Sequence, residues 1–437
     1  MGIRKLSRYL ANTAWLLFDQ ILVLIITFAI TAIVARYLGP ELFGILSFAF
    51  ALGALFGVVG KVGLEGIAVR ELSIEGADQG SVLGTVFLIK GTGSFVAACV
   101  LVMYAFLAVE DALERNIIFV AALFVLSSPL SVMNYWFQAN VLGKYSAISN
   151  TTGYLVSGLI RLLFVWGAFG AVYFAVANLI QALTTAFLVW AFYTYKRAPS
   201  LLSWKPSWQV AKRLLSESAS VFLGGIFGVI YLKVDQVMLR WLSNPEELGI
   251  YAVAVKISEA TYFLPGAIMA SFFPLLVQLK KTDEAAYNSY LRAACDTVAM
   301  LSMAIIIGVV LFGQLFINLA FGPEFRGSSL ILLIHILATP FIFLRTVFSR
   351  WILIEGMASF LVISQGLGAL LNVVLNFALI PHFEGVGAAV ATVLAYAVAS
   401  YFALLLHPRA RPLFFIMTRS ILSPWRGVSG IRMLSRS

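Results

Sequence analysis

The chain has 437 residues, of which 61% are hydrophobic and only 11% charged, with a mean hydropathy of +0.96. Soluble domains carry about 45–50% apolar and roughly 25% charged residues, so these values exclude a water-soluble globule and point to an integral membrane protein. The net charge of +10 is no nucleic-acid footprint, because the basic residues sort by membrane face instead.

The chain opens with MGIRKLSRYLANTAWLLF, a basic start whose apolar run reaches Ala35 without a cleavage site, so the first helix is read as uncleaved. A membrane span needs about 20 mostly apolar residues, and twelve stretches qualify: roughly 12–36, 42–62, 81–108, 116–137, 147–168, 171–193, 217–241, 248–276, 295–319, 329–353, 358–380 and 386–406. After the first span lies RYLGPELFGI, Arg36 to Ile45, and after the seventh RWLSNPEELGI, Arg240 to Ile250. With one residue inserted, Pro40 aligns with Pro245, Glu41 with Glu246 and Gly44 with Gly249. Each copy follows the first helix of a six-helix half, the internal repetition expected of a transporter. The halves are read as 1–193 and 217–406, joined by a linker at 194–216 and followed by a basic tail at 407–437.

In the linker, Trp204, Trp208, Val210 and Leu214 stand near helical spacing, which predicts a short helix in the headgroup region. The tail, with Phe414, Phe415, Ile416 and Trp425 among arginines, either lies on the membrane or serves only to set topology. One face collects Arg4, Lys5, Arg8, Lys61, Arg70, Lys144, Lys196, Arg197, Lys205, Lys212, Arg213, Lys280, Lys281, Arg292 and the tail arginines, Arg432 and Arg436 among them. The other face has only Arg36, Arg115, Arg240 and Arg326. The bias predicts that both termini are cytoplasmic.

Polar residues inside spans are costly in lipid and therefore face protein or water. Four sets recur at steps of three, four and seven, which place each on one helix face: Ser127, Ser131, Asn134 and Gln138; Asn150, Tyr154, Ser157 and Arg161; Asn178, Gln181 and Thr185; and Gln365, Asn372 and Asn376. Singly they read as interhelical hydrogen bonds, together as a shared hydrated interior. Among the charges in the spans, Lys256 and Glu259 are spaced to pair on one helix, and Lys233 and Arg350 lie close enough to span ends to snorkel. Lys90, Arg161 and Arg345 lack an evident partner on their own helices, while Asp19 and Asp235 are candidate partners across the bundle. Gly224, Gly225 and Gly228, with Pro129, Pro265, Pro274 and Pro340, mark hinges or packing kinks.

Several chemistries are absent from the sequence. It has no GxxxxGK[ST] for ATP hydrolysis, no Asp-x-Asp and no large loop for a glycosyltransferase or polymerase site. GVGAAV at Gly385 opens a membrane helix and reads as close packing, and His335, His382 and His407 are scattered. Cys99 and Cys295 have no nearby partner.

YLGPELFG, FFPLLVQLKKTDEAAY, FGPEF and NVVLNFALIPHFEGVGAAVATV, in this order, resemble the polysaccharide flippases of the Wzx type. These belong to the multidrug/oligosaccharidyl-lipid/polysaccharide (MOP) superfamily. The resemblance implies an all-α membrane fold, MATE-like, with two pseudo-symmetric six-helix bundles around a central cavity. It also implies a non-enzymatic flippase that moves undecaprenyl-diphosphate-linked oligosaccharide to the outer leaflet of a bacterial or archaeal cytoplasmic membrane by alternating access. Its partners would be that lipid-linked oligosaccharide, membrane lipids, a polysaccharide polymerase and a chain-length regulator. Twelve spans rather than fourteen set the chain apart from the lipid II flippase branch. By similarity to that branch, Asp235, Asn372, Asn376 and Thr392, with the Ala388 carbonyl, would hold sodium. Asn376 stands where a second carboxylate is expected, which leaves sodium, a proton or no ion open. Lys90, Arg161 and Arg345 are expected to meet the diphosphate, because arginine and lysine offset buried phosphate charge. Asn134, Gln138, Asn178 and Gln181 are expected to meet sugars. The rival readings are a cation-coupled multidrug exporter, a membrane glycosyltransferase or polymerase, and an inactive scaffold.

Overall fold

A backbone in lipid must satisfy its own hydrogen bonds, which leaves only helices and closed barrels. The computed structural model describes residues 3–428, excepting the side chains of 3–14, 17, 271 and 358, and has no strand among the described residues. The side chains of Arg4, Lys5 and Arg8, and all of Arg432 and Arg436, lie outside the described part. The helices are α1 Ile3–Lys61, α2 Glu65–Leu72, α3 Gln79–Ala108, α4 Ala112–Leu126, α5 Val132–Ala139, α6 Gly143–Trp166 and α7 Ala171–Tyr195. There follow α8 Trp208–Leu242, α9 Pro245–Glu259, α10 Leu264–Thr282, α11 Glu284–Ala320, α12 Ser328–His335, α13 Thr339–Ile354, α14 Ala358–Ser400 and α15 Arg411–Leu422.

Among the described residues, 10 helical stretches are long and apolar enough to cross a membrane. Two of them, Phe18–Leu72 and Ser359–Leu406, run to 55 and 48 residues. At 1.5 Å per residue those are about 80 and 70 Å, against a hydrocarbon core of about 30 Å. Each contains a break: Gly39 in α1 at φ 72° and ψ 172°, and Glu384 in α14 at φ 47° and ψ −128°. With the two sides of each break counted separately, the described residues give twelve apolar helical segments, at the positions where the sequence predicts spans.

The repeated motif turns the chain twice by different chemistry. Gly39 supplies a positive φ that side chains disfavour, and Pro40 restarts the helix where no N–H is needed. In the second copy Asn244 is the cap, its Oδ1 accepting from the Glu247 N–H at 2.8 Å, with Pro245 in the first turn. Past the Glu384 break, the Gly385 N–H donates to Glu247 Oε1 at 3.2 Å. A Cβ at Gly387 would lie 2.6 Å from the Leu379 carbonyl oxygen, so GVGAAV is indeed a close approach of backbone. Gly387→Ala is expected to cost about 1–3 kcal/mol through overpacking. Thermal unfolding in detergent measures this, and an unchanged midpoint would show that the segment yields.

The chain divides into two compact units, Met1–Val229 and Ile230–Ser437, so the division falls inside α8, whereas the sequence reading begins the second half at 217. The core of the first unit joins Leu64, which caps α2, and Leu72 of α2, Leu83 of α3, Trp136 and Phe137 of α5, and Tyr193 of α7 with Leu214. That of the second joins Phe272 and Leu276 of α10, Leu291 and Cys295 of α11, and Phe343 and Phe348 of α13 with Leu413 and Met417 of α15.

The linker differs from expectation. After a 3-10 turn at Leu201–Ser203, Trp204 Nε1 donates to Tyr193 Oη at 3.3 Å. From Trp208 onward α8 is continuous with the seventh span, so no separate surface helix forms. Nothing between Trp208 and Leu242 stops a helix once started, since single glycines cost only about 1 kcal/mol each. In the tail, α15 is a packed element: Leu413, Met417 and Ser420 are buried, and Ser420 Oγ donates to Asp296 Oδ1 at 2.5 Å.

Candidate functional site

The first unit holds an open cavity of about 730 Å3. Pro129 ends α4, and a 3-10 turn at Ser128–Ser131 resets the chain before α5 begins. That turn aims Ser131, Asn134, Tyr135 and Gln138 into the cavity, at steps of three, one and three. Ser127, the first member of the stripe read from the sequence, instead bonds back to the Phe124 carbonyl at 2.6 Å and is not on the cavity wall. Asp19 and Lys61 of α1, Glu65 of α2, Lys90 of α3, Ser146 and Asn150 of α6 and Thr185 of α7 also line it.

Lys90 is 2% exposed. Its Nζ donates to Ser131 Oγ at 2.7 Å and to Tyr135 Oη at 3.1 Å, and sits 5.1 Å from the Tyr135 ring centre. Hydroxyls orient an ammonium without cancelling its charge. The two carboxylates are held by neutral groups: Asp19 accepts from Asn150 Nδ2 at 3.0 Å and Thr151 Oγ1 at 2.5 Å, and Glu65 from Gln138 Nε2 at 3.0 Å. Three atoms of wall residues, Asn134 Oδ1, Ser146 Oγ and Thr185 Oγ1, are buried and have no hydrogen-bond partner among the described residues.

The other expected cargo contacts are placed differently. Arg161 donates to Asn178 Oδ1 at 2.6 Å, while Asn178 Nδ2 donates to the Phe174 carbonyl at 3.2 Å. This pair ties α6 to α7 and is not among the residues lining the cavity; Gln181, half-buried, lies one turn further along α7. Arg345 belongs to the second unit, where it donates to the Ala399 carbonyl at 3.2 Å with its guanidinium carbon 5.7 Å from the Tyr231 ring centre. Lys90, Asn134 and Gln138 thus share one cavity, and Arg161 and Asn178 bind each other.

Of the cation set, Asp235 is 1% exposed and accepts from the Gln236 N–H at 2.8 Å, from the Tyr251 hydroxyl and from Thr392 Oγ1 at 3.4 Å. Tyr251 was not legible: an aromatic in an apolar helix reads as core, and only the turn at Asn244 brings it to Asp235. Asn372 and Asn376 form their own pair, Nδ2 of Asn376 to Oδ1 of Asn372 at 3.3 Å, which leaves Asn372 Nδ2 and Asn376 Oδ1 buried without partners among the described residues. A carboxylate, a hydroxyl and an amide oxygen with free lone pairs are the donors a hard cation takes. Among the described residues no group of three His, Cys, Asp or Glu side chains could hold a metal. Glu259 takes Lys233 from α8, both carboxylate oxygens at 3.1 Å, where the sequence reading let Lys233 snorkel.

A family model described as polysaccharide biosynthesis protein matches residues 9–280. Over 195 residues the chain is 25% identical to a probable low-salt glycan biosynthesis flippase, Agl15, of Haloferax volcanii, covering 44% of this chain and 41% of that protein. It is 22% identical over 331 residues to a putative O-antigen transporter of Shigella flexneri, covering 73% and 78% respectively. The chain therefore spans less than half of the first relative and over three quarters of the second. In structure it is similar to the lipid II flippase MurJ in an inward closed conformation, with a TM-score of 0.70, 14% identity, and coverage of 95% of this chain and 92% of that one.

Proposed function

The chain belongs to the polysaccharide biosynthesis protein family, and from that premise we propose that it is a flippase. Its cargo would be an oligosaccharide on a polyprenyl diphosphate, moved by alternating access from the cytoplasmic to the outer leaflet of the inner membrane, with both termini cytoplasmic. The observation that carries this reading is the first unit's cavity, where Lys90, hydrogen-bonded to two hydroxyls, stands in a lining of polar side chains. A diphosphate crossing the bilayer needs a cation, since burying it unpaired costs several kcal/mol. Sugar hydroxyls, which both donate and accept, suit the Ser131, Asn134 and Gln138 side chains of the lining. The polyprenyl tail stays in lipid. A polymerase and a chain-length regulator would act on the product. The same cavity holds Asp19 and Glu65, whose neutral partners Asn150, Thr151 and Gln138 leave their charge in place, so an exporter of organic cations is the rival that the test must separate.

The test is deletion of the gene in its host. Loss of surface polysaccharide with lipid-linked oligosaccharide accumulating on the cytoplasmic side, and unchanged sensitivity to cationic drugs, is expected. Normal polysaccharide with drug hypersensitivity would favour the exporter.

Coupling is a second part of the proposal. Asp235, Thr392 and the Asn372–Asn376 pair would bind a sodium ion or a proton whose gradient drives the cycle. In vesicles, the wild-type chain is expected to move cargo faster under one of these gradients. Asp235→Asn, which keeps the shape but not the charge, should lose that response. Indifference of the wild type to both gradients would remove the coupling role.

A further inference from the structure

The second unit has a cavity of about 600 Å3 that the transport reading does not use. It lies where α15 and the turn Pro424–Arg426 fold back onto α11. Arg292 of α11, Arg419 of α15 and Arg426 of the turn line it, with the Asn288 amide beside them. The one carboxylate in the wall, Asp296, has Oδ1 taken by Ser420. The Arg292 and Arg419 guanidinium forks, from two elements that meet here, match the oxygens of a phosphate.

The rest of the wall is apolar. Phe415 and Ile416 flank the arginines, and Phe415 and Leu422 are 66% and 71% exposed. Phe415, Arg419 and Leu422 stand at steps of four and three, so α15 presents a cation between two lipophilic side chains on one face. Trp425, 68% exposed, continues the apolar surface. The depth fits a headgroup: α11 has 37 residues, about 55 Å of helix against a hydrocarbon core of about 30 Å, so its first turns stand outside that core. Arg292 is on those turns.

We propose that this cavity binds the phosphate headgroup of an anionic membrane lipid, its acyl chains lying along Phe415, Leu422 and Trp425. The site is independent of cargo transport. It fixes the end of the chain to the membrane surface by one specific lipid rather than by diffuse attraction.

The test uses the purified full chain in neutral detergent, with phosphatidylglycerol, phosphatidylcholine or inorganic phosphate added, and reads bound lipid by native mass spectrometry and the thermal midpoint. Phosphatidylglycerol should bind and raise the midpoint, while phosphatidylcholine should not. The double change Arg292→Gln, Arg419→Gln should weaken binding about fivefold per arginine. The charge-matched change Lys281→Gln, Arg409→Gln, outside the cavity, should leave it intact. Equal loss in both double variants would mean diffuse attraction and overturn the site. Equal binding of phosphatidylcholine would overturn the preference for anionic lipid. Stabilisation by inorganic phosphate equal to that by phosphatidylglycerol would make the site one for free anion and overturn the lipid assignment. Should the double variant fail to fold, the exposed Arg419→Gln alone carries the same comparison against Arg409→Gln.

Discussion

A Lys90→Met chain is expected to insert and accumulate normally yet fail to restore polysaccharide to a flippase-deleted strain. Methionine fills most of the space of lysine, so the packing of α3 against α5 survives. Ser131 keeps its bond to the Ser128 carbonyl at 2.8 Å, and Tyr135 loses a single partner, a cost of about 1 kcal/mol. The cargo loses far more. One charge-assisted hydrogen bond to phosphate is worth about 1.5–3 kcal/mol, a ten- to hundredfold loss of rate. Lys90→Arg should keep part of the activity, because charge is retained while the compact ammonium geometry is not. Full complementation by Lys90→Met at normal protein level would show that the lysine only satisfies the hydroxyls around it.

The second large effect concerns stability. Lys233 and Glu259 are 27% and 29% exposed at the side chain and pair at 3.1 Å inside the membrane-spanning part of the second unit. Lys233→Met takes from the Glu259 carboxylate the ammonium that holds both its oxygens. Breaking a fully buried pair costs about 3–5 kcal/mol, and partial exposure lowers that here to about 2–3 kcal/mol. Lys233→Met, Glu259→Gln together should recover most of the loss, since neutral partners leave no stranded charge. The thermal midpoints of the single and double variants in detergent decide it: a double variant no more stable than the single would mean that the pair is not what holds α8 to α9.

Much of this architecture is legible because the bilayer demands long apolar runs, and turns such as Gly39–Pro40 and Asn244–Pro245 punctuate them with residues chosen for backbone reasons. The α5 stripe was legible for the same kind of reason: helical spacing tells which residues share a face. Spacing does not tell what that face meets. Asn150, Ser157 and Arg161 also share a face, but Ser157 bonds the Ala177 carbonyl at 2.8 Å and Arg161 bonds Asn178, so most of that set knits helices together. Partner choice across a turn was equally hidden, as with Tyr251 on Asp235 and Lys233 on Glu259. The linker misled because an amphipathic pattern at Trp204–Leu214 looks alike whether the helix lies on a surface or runs straight into a span.

The breaks at Gly39 and Glu384 bear on how the chain enters the membrane during synthesis. Each joins two spans with almost no intervening polar chain, so the pair can leave the translocon as one hairpin. With the N-terminus cytoplasmic as proposed, what must be threaded through is a few side chains such as Arg36 and Glu41, each costing about 2.5–3.5 kcal/mol at the bilayer centre. Two spans of apolar residues offset that cost many times over. Gly39 and Pro40 set the turn in the backbone itself, so the second helix begins in register as it emerges. Lengthening this turn with charged residues would therefore slow insertion before it disturbed the finished fold.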